Sequence, residues 1–110
     1  MLAGVTPDGE LPPVSPDARA ILDAVERIPA GRVMSYGDVA EFAGVSSARG
    51  VGRVMSRYGH EVPWHRVLRA DGTAAPPVAD RQLALLRAEG VAMRGGRVDM
   101  RLARWDGRAS

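Results

Sequence analysis

"SYGDVAEFAGVSSARGVGRVMSRY", residues 35–58, holds two short helical patterns parted by a glycine. Ser35 with Asp38 three positions on has the form of a capping box and predicts a helix running through Ala43. Gly44 then fits the position after a helix end, where a left-handed backbone costs glycine little. Ser46 or Ser47 caps a second helix that reaches about Tyr58. Two short helices joined by a tight turn predict a helix-turn-helix, whose second member is the one that usually meets DNA.

The second helix divides by charge. At about 100° per residue, with Arg49 at zero, Arg53 falls near 40° and Arg57 near 80°, while Val51, Val54, Met55 and Tyr58 fall between roughly 140° and 240°. One face is cationic and the opposite face apolar. An ordinary amphipathic helix with a solvated face gives the same division, but such a face mixes signs. Residues 46–69 carry five arginines (49, 53, 57, 66 and 69) against the single acid Glu61.

Outward from this pair, Ser15-Pro16 reads as an N-cap with proline at the first helical position. Ile21, Ala24, Val25 and Ile28 then form one apolar stripe that stops before Pro29. Residues 1–14, with three prolines and two glycines and no periodicity, read as a flexible arm, leaving 15–110 as one domain. "AGRVMS" gives a turn and a short extended piece; Val67-Leu68-Arg69 reads as a strand entering the Ala70-Asp71-Gly72 turn. "TAAPPVAD" is a loop, Arg81 to Glu89 a helix with Leu83 and Leu86 inward and Gly90 at its end, and the residues around Arg94-Gly95-Gly96 a β-hairpin. The expected class is mainly α with short β elements.

Composition removes several chemistries. The chain has no cysteine, so disulfides, thiolate nucleophiles and cysteine-ligated zinc are excluded. With only His60 and His65 available, and no carboxylates at ligand spacing, no metal is expected, and no cofactor. No apolar run approaches the roughly 20 residues of a membrane span, and no signal peptide is visible, so the expectation is a cytoplasmic protein with no membrane partner. Net charge is +2, yet residues 1–45 carry three arginines against seven acids and residues 46–110 twelve against six, giving −4 and +6. A basic back half points to a polyanionic partner. All fifteen basic residues are arginine, which coding bias in a GC-rich genome explains by itself; a binding role has to be argued for each position.

The motif "VPWHRV", residues 62–67, has the shape of a reactive centre whose nucleophile position holds Trp64. An indole stacks, walls a pocket or donates one N–H; it neither attacks nor accepts a proton. Catalysis by His65 would need a nucleophile or bound water and an orienting carboxylate, for which Glu89 and Asp71 are the candidates. An aromatic surface beside a basic helix suits nucleobase binding, with core packing of Trp64 and a structural His65 as the plainer readings.

"IPAGRVMSYGDVAEFAGVSSARGVGRVM", with "VPWHRVLRADG" and "LLRAEGV", resembles the C-terminal DNA-binding domain of O6-alkylguanine-DNA alkyltransferases over about residues 17–107. That family has Pro-Cys-His-Arg where this chain has Pro63-Trp64-His65-Arg66. Tryptophan in place of the acceptor cysteine is the mark of the alkyltransferase-like proteins, which bind O6-alkylguanine DNA without transferase activity. The resemblance implies a winged helix-turn-helix-like fold and a non-enzymatic damage sensor working from the minor groove. In that role Arg49 fills the gap left by an extruded nucleotide, and Tyr36 helps rotate it. Trp64, His65, Val67 and Glu89 form the lesion pocket with Tyr36, and Pro63 and Arg66 brace it. Ser46, Ser47, Ala48, Gly50, Gly52, Arg53 and Arg57 meet DNA. The implied partners are double-stranded DNA containing O6-alkylguanine and nucleotide excision repair proteins, engaged by a monomer. The segment over residues 73–80 is shorter than in relatives that carry a basic residue near the alkyl group; Arg69 and Arg81 flank it.

Two other readings remain: a helix-turn-helix regulator indifferent to damage, and a hydrolytic dealkylase in which His65 and Glu89 activate water. Gly50 and Gly52 each cost about 1 kcal/mol of helix propensity against alanine, which either close approach to a groove or close helix packing would explain.

Overall fold

Ser15 accepts from the Ala18 N–H at 3.1 Å and Pro16 opens the first helix, α1 (Pro16–Glu26). The computed structural model describes residues 15–108, so the arm expected over residues 1–14 lies outside the described residues. The apolar stripe is buried as the spacing predicts: Ile21, Ala24 and Val25 from the helix, and Ile28 from the turn that follows it. Each such aliphatic side chain contributes about 1.5–3 kcal/mol when fully withdrawn from water.

β1 (Met34–Ser35) leads directly into α2 (Tyr36–Ala43). The capping box is complete: the Asp38 N–H donates to Ser35 Oγ at 3.0 Å, and the Ser35 N–H donates to Asp38 Oδ2 at 3.1 Å. Gly44, at φ 77°, ends the helix in the left-handed conformation expected of it. Of the two serines that could cap the next helix, Ser47 does so, accepting from the Gly50 N–H at 3.1 Å, and α3 runs over Ala48–Tyr58.

Short 3-10 turns at Gly59–Glu61 and Trp64–Arg66 lead to β2 (Val67–Leu68), which pairs in parallel with β1, Met34 opposite Val67 and Ser35 opposite Leu68. α4 (Ala79–Ala88) starts two residues before the expected Arg81 and buries Leu86, with Leu83 packed at the edge of the core. β3 (Met93–Arg94) and β4 (Arg97–Val98) form the expected antiparallel hairpin, and α5 (Met100–Ala103) follows.

The interior divides into two apolar clusters. The first joins α1, α2 and α3 through Ile21, Val25, Ile28, Val39 and Val51, and the second joins α4, the hairpin and α5 through Leu68, Leu86, Val91, Val98 and Ala103. The β1–β2 pair lies between them, sending Met34 and Val67 to one and Leu68 to the other. The chain end closes the first cluster. Trp105 is buried edge-on against Phe42, ring centroids 5.4 Å apart, and its backbone N–H donates to the Val33 carbonyl at 2.7 Å. Mainly helical with short strands, the architecture is the class expected. Among the described residues no helix is long and apolar enough to cross a membrane.

Candidate nucleic-acid interface

α3 presents its two faces as its angular spacing predicts. Val51 is fully buried, Val54 and Met55 pack at the edge of the first core, and Arg49, Arg53 and Arg57 are exposed. None of the three has a carboxylate within 4.0 Å among the described residues. Ser46, Ser47 and Ala48, at the start of the helix, are exposed as well. A cation row with no internal counter-charge is left to attract an external anion.

The glycines of this helix have no packing reason. Among the described residues a Cβ added at Gly52 would meet nothing within 4 Å, and one at Gly50 only Ser47 Oγ at an ordinary 3.5 Å. Close helix packing is therefore not what keeps side chains off these positions.

Trp64 belongs to neither core cluster. Half-buried, it stands edge-on to His65 with centroids 6.0 Å apart, and the Arg81 guanidinium lies 5.7 Å from its ring centroid. That separation is within cation–π range. Of the two arginines flanking the 73–80 segment, Arg81 is thus the one that reaches the indole. Pro63 precedes the Trp64–Arg66 turn, and its carbonyl accepts from the Arg66 N–H at 3.0 Å. Tyr36, the first residue of α2, is half-buried at the edge of the first core. Val67 is buried in β2, and its carbonyl accepts from Gln82 Nε2 at 2.8 Å.

Behind Trp64 lies a charged brace. His65 Nε2 is 2.7 Å from Glu89 Oε2. Arg66 donates to the same carboxylate through Nη2 at 2.7 Å and Nε at 3.1 Å, and through Nη1 to the Ile28 carbonyl at 2.8 Å. The Gly31 N–H completes the set on Glu89 Oε1 at 3.0 Å. These donors, Arg66 foremost, overcome the cost of partial burial and hold the Glu89 pKa down at about 2. Glu89, not Asp71, is therefore the carboxylate beside His65; Asp71 accepts instead from the Thr73 N–H and hydroxyl at 3.0 and 2.7 Å. A carboxylate so heavily donated to is a very weak proton acceptor near neutral pH. No group of three or more metal-ligating side chains occurs among the described residues.

Gln82 carries a role that its sequence position concealed. Its amide donates to both the His65 and Val67 carbonyls, at 3.0 and 2.8 Å, and so fixes α4 against the backbone on which Trp64 stands. The available signal was a polar residue four positions before the inward Leu86, on the same helix face.

Two capped helices with an uncompensated cationic face, next to a half-buried indole outside both cores, define a DNA-binding domain of the helix-turn-helix class. The chain belongs to the family described as "6-O-methylguanine DNA methyltransferase, DNA binding domain", whose pattern matches residues 16–91. It is 44% identical over 88 residues to the DNA base-flipping protein of Escherichia coli strain K12, covering 74% of this chain and 68% of that one. With alkyltransferase-like protein 1 of Schizosaccharomyces pombe it shares 46% identity over 56 residues, 48% of this chain and 52% of that one. Its fold matches the crystal structure of S. pombe Atl1 in complex with damaged DNA containing O6-carboxymethylguanine, with a TM-score of 0.71 and 32% identity over 81% of this chain and 94% of that one.

Proposed function

We propose that this protein is a non-enzymatic sensor of O6-alkylguanine in duplex DNA. α3 enters the minor groove with Arg53 and Arg57 toward the backbone, Gly50 and Gly52 permitting close approach. The damaged nucleotide is extruded at an unstacking cost of a few kcal/mol, Tyr36 aids its rotation, and Arg49 fills the gap, stacking on the neighbours. The base docks against Trp64, in a pocket whose wall is completed by Tyr36, His65, the backbone at Val67 and Glu89. The observation that carries this reading is Trp64 itself: a large aromatic outside both cores, held from behind by the His65–Glu89–Arg66 brace.

The chain has no cysteine, and an indole in the position facing the base accepts no alkyl group. The lesion therefore persists in the complex, and its removal falls to another activity, which the family resemblance assigns to nucleotide excision repair. In the dealkylase reading His65, oriented by Glu89, would be the base that activates water.

The test is a titration of duplexes carrying guanine, O6-methylguanine and a bulkier O6-adduct, with mass analysis of the lesion strand after long incubation. Tighter binding to both lesions with the alkyl group intact is expected, and Arg49→Ala and Tyr36→Ala each weaken lesion binding while the fold survives. Equal affinity for all three duplexes would refute the sensor and leave the damage-indifferent regulator, which the α2–α3 pair alone also fits; recovered guanine would establish the dealkylase.

A further inference from the structure

The basic excess of the back half is not exhausted by α3. Three further arginines, Arg94 and Arg97 on the β3–β4 hairpin and Arg101 on α5, are exposed along one groove of about 290 Å³ that Ala70, Val98 and Met100 also line. None has a carboxylate within 4.0 Å among the described residues.

Two acids share the groove and are already matched by local donors. Asp71 accepts from Thr73, and Asp99 accepts from the Arg101 N–H at 3.1 Å as the cap of α5. Arg97 lies within the field of Asp71 without forming a close pair. The three guanidinium groups retain their donors for an external ligand.

The groove adjoins a second one. Ala70, Met100 and Arg101 line a second depression of about 210 Å³ that extends to Arg104 and Ser35, the residue before Tyr36. There Arg104 is committed to Asp38, donating through Nη2 at 2.6 Å and Nε at 2.8 Å.

The frame carrying these arginines is fixed. The Val98 N–H donates to the Gly72 carbonyl at 3.0 Å and the Asp99 N–H to the Ala92 carbonyl at 2.9 Å. Gly72, at φ 87°, packs so tightly that a Cβ there would lie 2.2 Å from the Val98 carbonyl oxygen. A rigid backbone beneath the arginines leaves only side-chain entropy to be lost on meeting a phosphate.

We propose that Arg94, Arg97 and Arg101 form a second phosphate-binding track, which takes the sugar–phosphate backbone of the same duplex flanking the damage site, beyond the footprint of α3. The assignment rests on the proposed sensor function for its choice of DNA. Guanidinium groups bind phosphate through paired donors, and such contacts carry affinity without base preference. α3 packs into the first core and the hairpin into the second, so the two arginine sets act from different parts of the molecule.

The experiment measures binding against salt for the wild type, for the triple variant Arg94→Ala/Arg97→Ala/Arg101→Ala and for the triple lysine variant. Each meets lesion and unmodified duplexes of two lengths, one just covering α3 and one extended by a helical turn on each side. On the long duplex the alanine variant loses about 2 to 3 units of log–log salt slope, at about 0.9 per phosphate contact. The lysine variant keeps most of the slope, the short duplex registers no change, and the lesion-to-unmodified ratio stays at its wild-type value. An unchanged slope for the alanine variant on the long duplex, or an equal loss on both lengths, overturns the track. A wild-type ratio of one would overturn the sensor reading instead, leaving the slopes to decide the track.

Discussion

Arg66 ties Ile28 to Glu89: one guanidinium donates to a carbonyl beside the first core and to a carboxylate at the end of α4, which packs into the second. The Trp64–Arg66 turn lies between them, so its position depends on an ion pair whose two side chains are each 17% exposed. Removing one partner of a largely buried pair leaves the other charge uncompensated. Glu89→Gln is expected to lower unfolding free energy by about 2–3 kcal/mol, measured by urea denaturation. It should also weaken lesion binding, because the support under Trp64 loosens.

The same carboxylate sets an acid limit. Its pKa falls from 4.5 to about 2 on folding, so its stabilisation is fully present above 4.5 and is lost as pH drops from there toward 2. The shift corresponds to about 3 kcal/mol at most, and about 2 kcal/mol once solvent screening is allowed for. Unfolding free energy measured across this range should fall less steeply in Glu89→Gln than in the wild type. Parallel curves would show that Glu89 is not the titrating group.

Gly52 separates stability from binding. Because a Cβ there touches nothing within 4 Å among the described residues, Gly52→Ala removes only the propensity penalty. An increase of about 1 kcal/mol in stability is expected, together with weaker DNA binding. A variant that is more stable and binds as well as the wild type would show that close approach to the groove is not the reason for glycine.

Gln82 is the third support of the site. Gln82→Met keeps the volume but leaves the His65 and Val67 carbonyls without their donor. A loss of about 2–3 kcal/mol is expected from denaturation. In a crystal structure of the variant, the Trp64–Arg66 turn should be displaced relative to α4.

Much of this architecture was legible because it is locally encoded. The Ser15 cap with Pro16, the Ser35–Asp38 box, Gly44 and the two-residue Gly95–Gly96 turn each act within a few residues, and the stripe of α1 and the two faces of α3 follow from a single helical period. What escaped is long-range. The pairing of β1 with β2 joins segments more than thirty residues apart, and the docking of Trp105 against Phe42 follows from the chain's return alongside Val33, which no local pattern announces. The start of α4 carries no local mark, since Val78 supplies no side-chain cap. At the site, Trp64, His65, Arg66 and Glu89 were named from the motif and the resemblance, and the structure brings them together. Arg81 over the indole and Gln82 beneath the turn depend on how α4 docks, which residue types alone do not state.

In the proposed function the residue that meets the lesion is Trp64, and carbon and nitrogen of an indole ring take nothing covalently from a guest. On the proposed function the protein leaves each encounter chemically unaltered, and its influence depends on how long it dwells at a site rather than on how many copies are made.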